Sequence, residues 1–119
     1  MVKSINAETI KRLAEEVGEE TVILLLNVFS DELQQYLRQL SDQPSVNQVG
    51  EISHAIKSSA ASFGADSLAE MAQECESRVR QGQNEWMVDH LPELTQMVKG
   101  MAHEYKQLAG NDQSINRLF

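Results

Sequence analysis

Glu51-Ile52-Ser53-His54-Ala55-Ile56-Lys57-Ser58-Ser59-Ala60-Ala61-Ser62-Phe63-Gly64-Ala65 is the stretch on which the fold and the chemistry both turn. With Val49 just before it, the apolar residues Ile52, Ile56, Ala60 and Phe63 recur at steps of three and four. On a helix turning ~100° per residue they make one stripe. His54 falls about 160° from Ile56, nearly opposite the middle of that stripe, so its ring faces water or a partner. Gly50, Ser58 and Ala61 share its face and are all small, and Lys57 lies one turn away on the flank. An exposed helical histidine is by default an ordinary surface residue. Here the face stays flat where solvated helices usually carry long charged side chains, and Lys57 is the only cation near the ring in sequence. A nucleophilic ring in such a clearing suits chemistry performed on it by another protein.

The rest of the chain frames that helix. A length of 119 residues suits one domain with one core. Gly (6) and Pro (2) are scarce while Ala, Leu, Glu and Gln are frequent, which favours an all-α fold. A formal net charge of −8 argues against nucleic acid, whose phosphates need clustered Lys and Arg, and against docking on anionic membranes. The single cysteine, Cys75, rules out an intramolecular disulfide and a Cys-rich zinc site. Met1 to Asn6 lacks the apolar core of a signal peptide, and the longest apolar run, Val22 to Leu26, is too short to span a bilayer. The expectation is a cytoplasmic protein.

Punctuation divides the chain into five helical segments. The first runs from Ala7 to Val17, capped by Asn6 and ended by Gly18. The second runs from Glu20 to Ser41, its main face formed by Val22, Leu25, Leu26, Phe29, Leu33, Tyr36 and Leu40, and Asp42-Gln43-Pro44 breaks it. The third follows Pro44, with Ser45 and Gln48 spaced as a capping box, and ends at Phe63 before Gly64. The fourth opens at Asp66 or Ser67, where Ser67 and Glu70 repeat the capping-box spacing, and ends at Gly82. The fifth covers roughly Glu85 to Leu108; either it properly begins near Leu91, with Pro92 as an early residue, or it kinks at Pro92. Short connections predict an antiparallel up-down-up-down four-helix bundle, with the short N-terminal helix across one end. The domain is expected to occupy residues 1–109, and the polar tail 110–119 is expected to be disordered. Ile23, Leu24 and Val28 lie off the second helix's main stripe. The favoured expectation is that the first helix covers them through Ile10, Leu13 and Val17; the other is that some stay exposed for docking.

Enzyme signatures are missing. There is no Gly-rich phosphate loop and no Walker-type Lys. Paired Glu-x-x-His motifs on facing helices are absent, and His54, His90 and His103 share no ligand spacing, so no metal site is expected. Cys75 lies on the fourth helix's apolar stripe and reads as a core residue, Trp86 as a packing anchor.

His54, Ile56, Lys57, the small run from Ser58 to Ser62, Gly64, Leu68 and then Cys75-Glu76 resemble the signature of histidine-containing phosphotransfer (HPt) domains. That pattern is a His, an aliphatic residue two on, Lys three on, small residues, Gly ten on and Leu fourteen on. The resemblance covers the third and fourth helices closely and the whole chain in length and helix order. Ser58 departs from it, standing where glycine is commonest, but serine is still small. The run His-Ala-Ile-Lys-Ser-Ser-Ala-Ala-Ser-Phe-Gly-Ala is especially similar to a stand-alone HPt protein of a quorum-sensing relay.

The resemblance implies a phosphorelay intermediate rather than an enzyme. His54 would accept a phosphoryl group from an aspartate on the receiver domain of a hybrid sensor kinase and pass it to the receiver of a response regulator. An imidazole with an ordinary pKa of about 6.5 is largely neutral at cytoplasmic pH, hence nucleophilic. Lys57 would steady the phosphoryl oxygens. No cofactor is expected on this chain; Mg²⁺ would sit on the receiver. Pairing the second and third helices about Pro44 sets Gln34 beside His54, so Asp31, Gln35 and Arg38 are expected to touch a docked receiver, together with Gly50, Glu51, Ser58 and Ala61. Glu76 is placed to accept the other ring N–H and fix the tautomer. The exposed face fits a monomer. The alternatives are a helical adaptor that binds a protein through the His54 face without covalent chemistry, and a full histidine kinase, for which no nucleotide-binding segment is found.

Overall fold

The computed structural model describes residues 5–110. Its five α-helices are α1 (Ala7–Val17), α2 (Glu19–Leu40), α3 (Val46–Ser62), α4 (Asp66–Arg80) and α5 (Asn84–Gly110), with no strand among the described residues. The all-α expectation is met.

Local chemistry explains most of the boundaries. Asn6 Oδ1 accepts the backbone N–H groups of Glu8 and Thr9 at 3.0 and 3.3 Å, satisfying two of the orphan donors at the start of α1. Ser45 Oγ does the same for Gln48 N–H at 3.1 Å. After α3 the chain turns at Gly64, whose φ of +80° lies in the left-handed region. Space reinforces that choice, because a Cβ there would meet Asn6 O at 2.9 Å.

One cap and one proline differ from a simple reading of the sequence. Ser67 does not cap α4: Ala65 occupies the cap position and makes no side-chain cap bond, and Asp66 is already helical. The tight turn causes this, since Ala65 N–H donates to Ala60 O (2.8 Å) and Ala65 O already accepts from Ala69 N–H (2.9 Å). Asp66 instead accepts from Asn6 Nδ2 at 3.0 Å, tying α1 to the head of α4. α5 opens at Asn84 rather than near Leu91, so Pro92 lies inside the helix. Its missing N–H leaves the Val88 carbonyl without its helical donor, on a face where Pro92 and Val88 are both exposed. α5 continues through Gly110; the remainder of the expected tail, 111–119, lies outside the described residues.

The helices pack as two main pairs, α3 with α4 and α2 with α5, joined through α4 and α5, while α2 touches α3 sparingly. Their contacts show opposite chain directions. His54 meets Glu76 and Gly50 meets Val79; Ser30 meets Ala102 while Asn27 meets Lys106. Phe29 of α2 stacks on Phe63 at 4.7 Å and meets Tyr105 of α5 edge-on at 4.8 Å. Tyr105 O–H donates to Phe63 O at 2.6 Å, giving the C-terminal carbonyl of α3 a buried donor. The aromatic knot therefore fixes the far end of the helix that carries His54.

Coverage of α2 by α1 is partial. Ile10 is fully buried and Ile23 packs against the core, but Leu24 and Val28 remain 65% and 60% exposed. The 11-residue α1 reaches one flank of the 22-residue α2 and not its outer face. Among the described residues no helix is long and apolar enough to cross a membrane.

Candidate functional site: a histidine held by a shared carboxylate

His54 sits mid-way along α3 with its side chain 66% exposed, as the stripe geometry requires. Its Nδ1 lies 2.5 Å from Glu76 Oε2. Glu76 belongs to α4 and is itself almost wholly buried. The same carboxylate takes Lys57 Nζ on Oε1 at 2.7 Å and Arg80 Nη2 on Oε2 at 3.1 Å. One buried acid thus gathers an imidazole and two cations from two helices.

Electrostatics make that acid an acceptor. The Lys57 ammonium bonded to it, and then the His54 N–H, hold the Glu76 carboxyl below its usual range against the opposing effect of burial. An ionised carboxylate can only accept, which suits it to a ring N–H on Nδ1. Nε2 makes no hydrogen bond among the described residues.

The seam below the pair is tight. Gly50 is half-buried because Val79 packs onto it: a Cβ at Gly50 would lie 2.8 Å from Val79 Cγ1. Ser53 and Cys75, each next in sequence to a member of the pair, are both fully buried. Burial pushes the Cys75 thiol up to about 11, consistent with a core residue.

The expected site residues divide into two groups. Glu51, Ser58 and Ala61 are exposed along the face of α3 that carries His54. A shallow groove there is lined by Asn47, Gly50, Glu51, His54, Glu76, Val79 and Arg80, from α3 and α4 alone. Gln34, Gln35 and Arg38 do not line it. Gln34 turns towards α5, donating to Ser30 Oγ at 3.3 Å, where Ser30 itself donates to Ala102 O at 2.7 Å. Asp31 likewise pairs with Lys106 of α5 at 2.8 Å. The register also differs from a count through Pro44. The Phe29–Phe63 stack fixes it, and equal steps along antiparallel helices set His54 level with Arg38 rather than Gln34.

Arg80 escaped the sequence reading, so Lys57 is not the lone cation near the ring. It lies 26 residues beyond His54 on another helix, and only its spacing of four from Glu76 hints at a shared face. Lys57, for its part, points its ammonium at Glu76 rather than at open solvent.

The described bundle thus presents an exposed imidazole, bonded through Nδ1 to a buried acid, with two cations gathered on that acid. The chain belongs to the Hpt-domain family, whose model matches residues 24–104. It is similar to the phosphorelay protein LuxU of Vibrio cholerae, with 44% identity over 98 residues, covering 80% of this chain and 84% of that protein. LuxU of Vibrio vulnificus (strain YJ016) is 43% identical over 81 residues, 66% of this chain and 70% of that protein. LuxU of Vibrio harveyi is 44% identical over 71 residues, covering 57% of this chain and 62% of that protein. No solved structure gives a significant match. The chain is a histidine phosphotransfer protein of a two-component relay.

Proposed function

We propose that His54 is the phosphorylated residue and that Nε2 is the attacking atom. The observation that carries this is the division of labour on the ring: Nδ1 is held by Glu76 and Nε2 is free at the surface. Nε2 attacks the phosphorus of an aspartyl phosphate on a partner's receiver domain. The Nε2–P bond forms as the bond from phosphorus to the aspartyl oxygen breaks, and the aspartate leaves as carboxylate. The ring becomes cationic and its Nδ1–H stays on Glu76, whose negative charge stabilises it. The reverse sequence hands the group to a second receiver. Each receiver brings its own Mg²⁺, and among the described residues no carboxylate cluster is arranged for one.

The surrounding charges suit that traffic. Lys57 keeps Glu76 ionised and adds positive field beside the ring; Arg80, 74% exposed, has a fork that matches phosphoryl oxygens. Glu51, Ser58 and Ala61 form the low rim on which a receiver loop rests. Likeness to the LuxU proteins supports a place in quorum-sensing signalling, between the receiver of a hybrid sensor kinase and that of a response regulator, in the cytoplasm and as a monomer.

The test is transfer from a phosphorylated receiver domain. Label should appear on this protein, survive base, be lost in acid, and vanish in His54→Gln. Tight receiver binding without label would favour the adaptor reading, and labelling by ATP alone would favour a kinase.

A further inference from the structure

We infer that Gly50 is a positioning residue for His54, acting through the spacing of α3 and α4 rather than by clearing a path for the partner. The inference rests on His54 being the nucleophile. Gly50 stands one helical turn before His54, and Val79 stands three residues after Glu76, so the Gly50–Val79 contact lies directly beside the His54–Glu76 pair along the same seam. Gly50 has no turn to make; it lies inside α3, where glycine is less favourable than alanine. What requires it is the distance of 2.8 Å from an added Cβ to Val79 Cγ1, with Val79 Cβ next at 3.3 Å. Val79 cannot rotate away freely, because a β-branched side chain in a helix is held to one rotamer. The relief therefore comes from α4 moving out by a few tenths of an ångström.

That motion is aimed at the site. Glu76 is carried by α4, and all of its links to α3, to His54 Nδ1 and to Lys57 Nζ, cross the widened seam. The other groups in the seam, Ser53 and Cys75, are small and buried and offer no long side chain that could take up the slack. Arg80 is unaffected in its bond to Glu76, since both ride on α4. Widening thus selectively loosens the hold on Nδ1 and releases the ring towards the tautomer that carries its proton on Nε2. In that tautomer the attacking lone pair is gone from the exposed nitrogen.

The experiment uses the full chain and a small donor, phosphoramidate, so that no receiver docking is involved. Nε2 displaces ammonia from phosphorus, the P–N bond of the donor breaking as the Nε2–P bond forms. Wild type, Gly50→Ala, Val79→Ala and the double variant are compared for labelling rate, for thermal midpoint, and for the ¹⁵N shifts of His54, which report the tautomer. Misplacement by about 1 Å is worth roughly 100-fold, so a shift of ~0.3 Å predicts about a fourfold slower labelling in Gly50→Ala. Its His54 shifts should move towards Nε2–H, and Val79→Ala should restore both rate and shifts in the double variant. Alanine's better helix propensity opposes the strain, so the thermal midpoint should follow neither quantity. Unchanged ¹⁵N shifts and rate in a folded Gly50→Ala would overturn the positioning role, as would a loss that Val79→Ala does not repair. Labelling of wild type that persists in His54→Gln would instead sink the reading of His54 itself.

Discussion

Replacing Glu76 by glutamine isolates the charge of the carboxylate from its shape. In the wild type Lys57 is 33% exposed and bonded to Oε1 at 2.7 Å, while Arg80 is 74% exposed and bonded to Oε2 at 3.1 Å. A hydrogen bond to a charged group is worth about 1.5–3 kcal/mol when well buried. The half-buried Lys57 contact earns the lower end of that range, and the solvated Arg80 contact adds roughly 0–1 kcal/mol. Glutamine keeps one carbonyl acceptor for either Lys57 or His54, so the expected loss at neutral pH is about 1.5 kcal/mol. For a domain of this size that corresponds to roughly 4–9 °C in thermal midpoint. The sign with pH follows from the lowered pKa of Glu76. A carboxyl depressed in the folded state adds stability that is complete above its unfolded value, about 4.3, and is lost as pH falls through the folded value. Urea unfolding followed by circular dichroism at pH 7 and again well below pH 4 reads this directly. The gap between wild type and Glu76→Gln should shrink on acidification. A gap that stays constant down to the lowest pH at which both fold would refute the charge argument and assign the cost to packing.

Other consequences are simpler to state. Arg80→Ala should change stability by no more than about 1 kcal/mol in urea unfolding, because its side chain is mostly solvated, yet slow phosphoramidate labelling of His54 roughly threefold. Ser30→Ala removes a buried donor from Ala102 O at 2.7 Å and should cost about 1–2 kcal/mol in urea unfolding. Gly64→Ala places a Cβ 2.9 Å from Asn6 O at a φ of +80° and should cost on the order of 2 kcal/mol, with α1 the first segment to lose amide protection in hydrogen exchange. Cys75, its thiol pushed up to about 11, should resist iodoacetamide at pH 8 in the native protein and react on unfolding.

The parts of the molecule legible in the sequence are those governed by local periodicity. Asn6 and Ser45 announce helix starts because capping is a contact between near neighbours in the chain. His54 faces solvent because a stripe of five apolar residues fixes the helix phase. Local periodicity does not determine what happens where two helices meet. Ser67 and Glu70 have capping spacing, but the Gly64 turn brings the chain into α4 before either is reached. A count through Pro44 sets Gln34 level with His54, whereas the Phe29–Phe63 stack sets another register and Ser30 draws that face of α2 to α5. Arg80 and the tight packing at Gly50 were invisible for the same reason. Glycine in a small-residue face reads as open space until its neighbour on α4 is known, and here that neighbour is Val79. Glu76 lies opposite His54 because an antiparallel hairpin with a short turn leaves little freedom in which residues oppose each other.

His54, Lys57, Glu76 and Arg80 all lie between Val46 and Arg80, on a single helical hairpin closed by a tight turn. Contacts within such a hairpin cost little loop-closure entropy, and structures rich in them assemble fast. The pairing of α2 with α5 spans most of the chain and forms against a larger entropic barrier. The reactive constellation is therefore the kinetically local part of the molecule. A chain that opens transiently along the α2–α5 side can keep His54, Glu76, Lys57 and Arg80 in register while the remainder closes again.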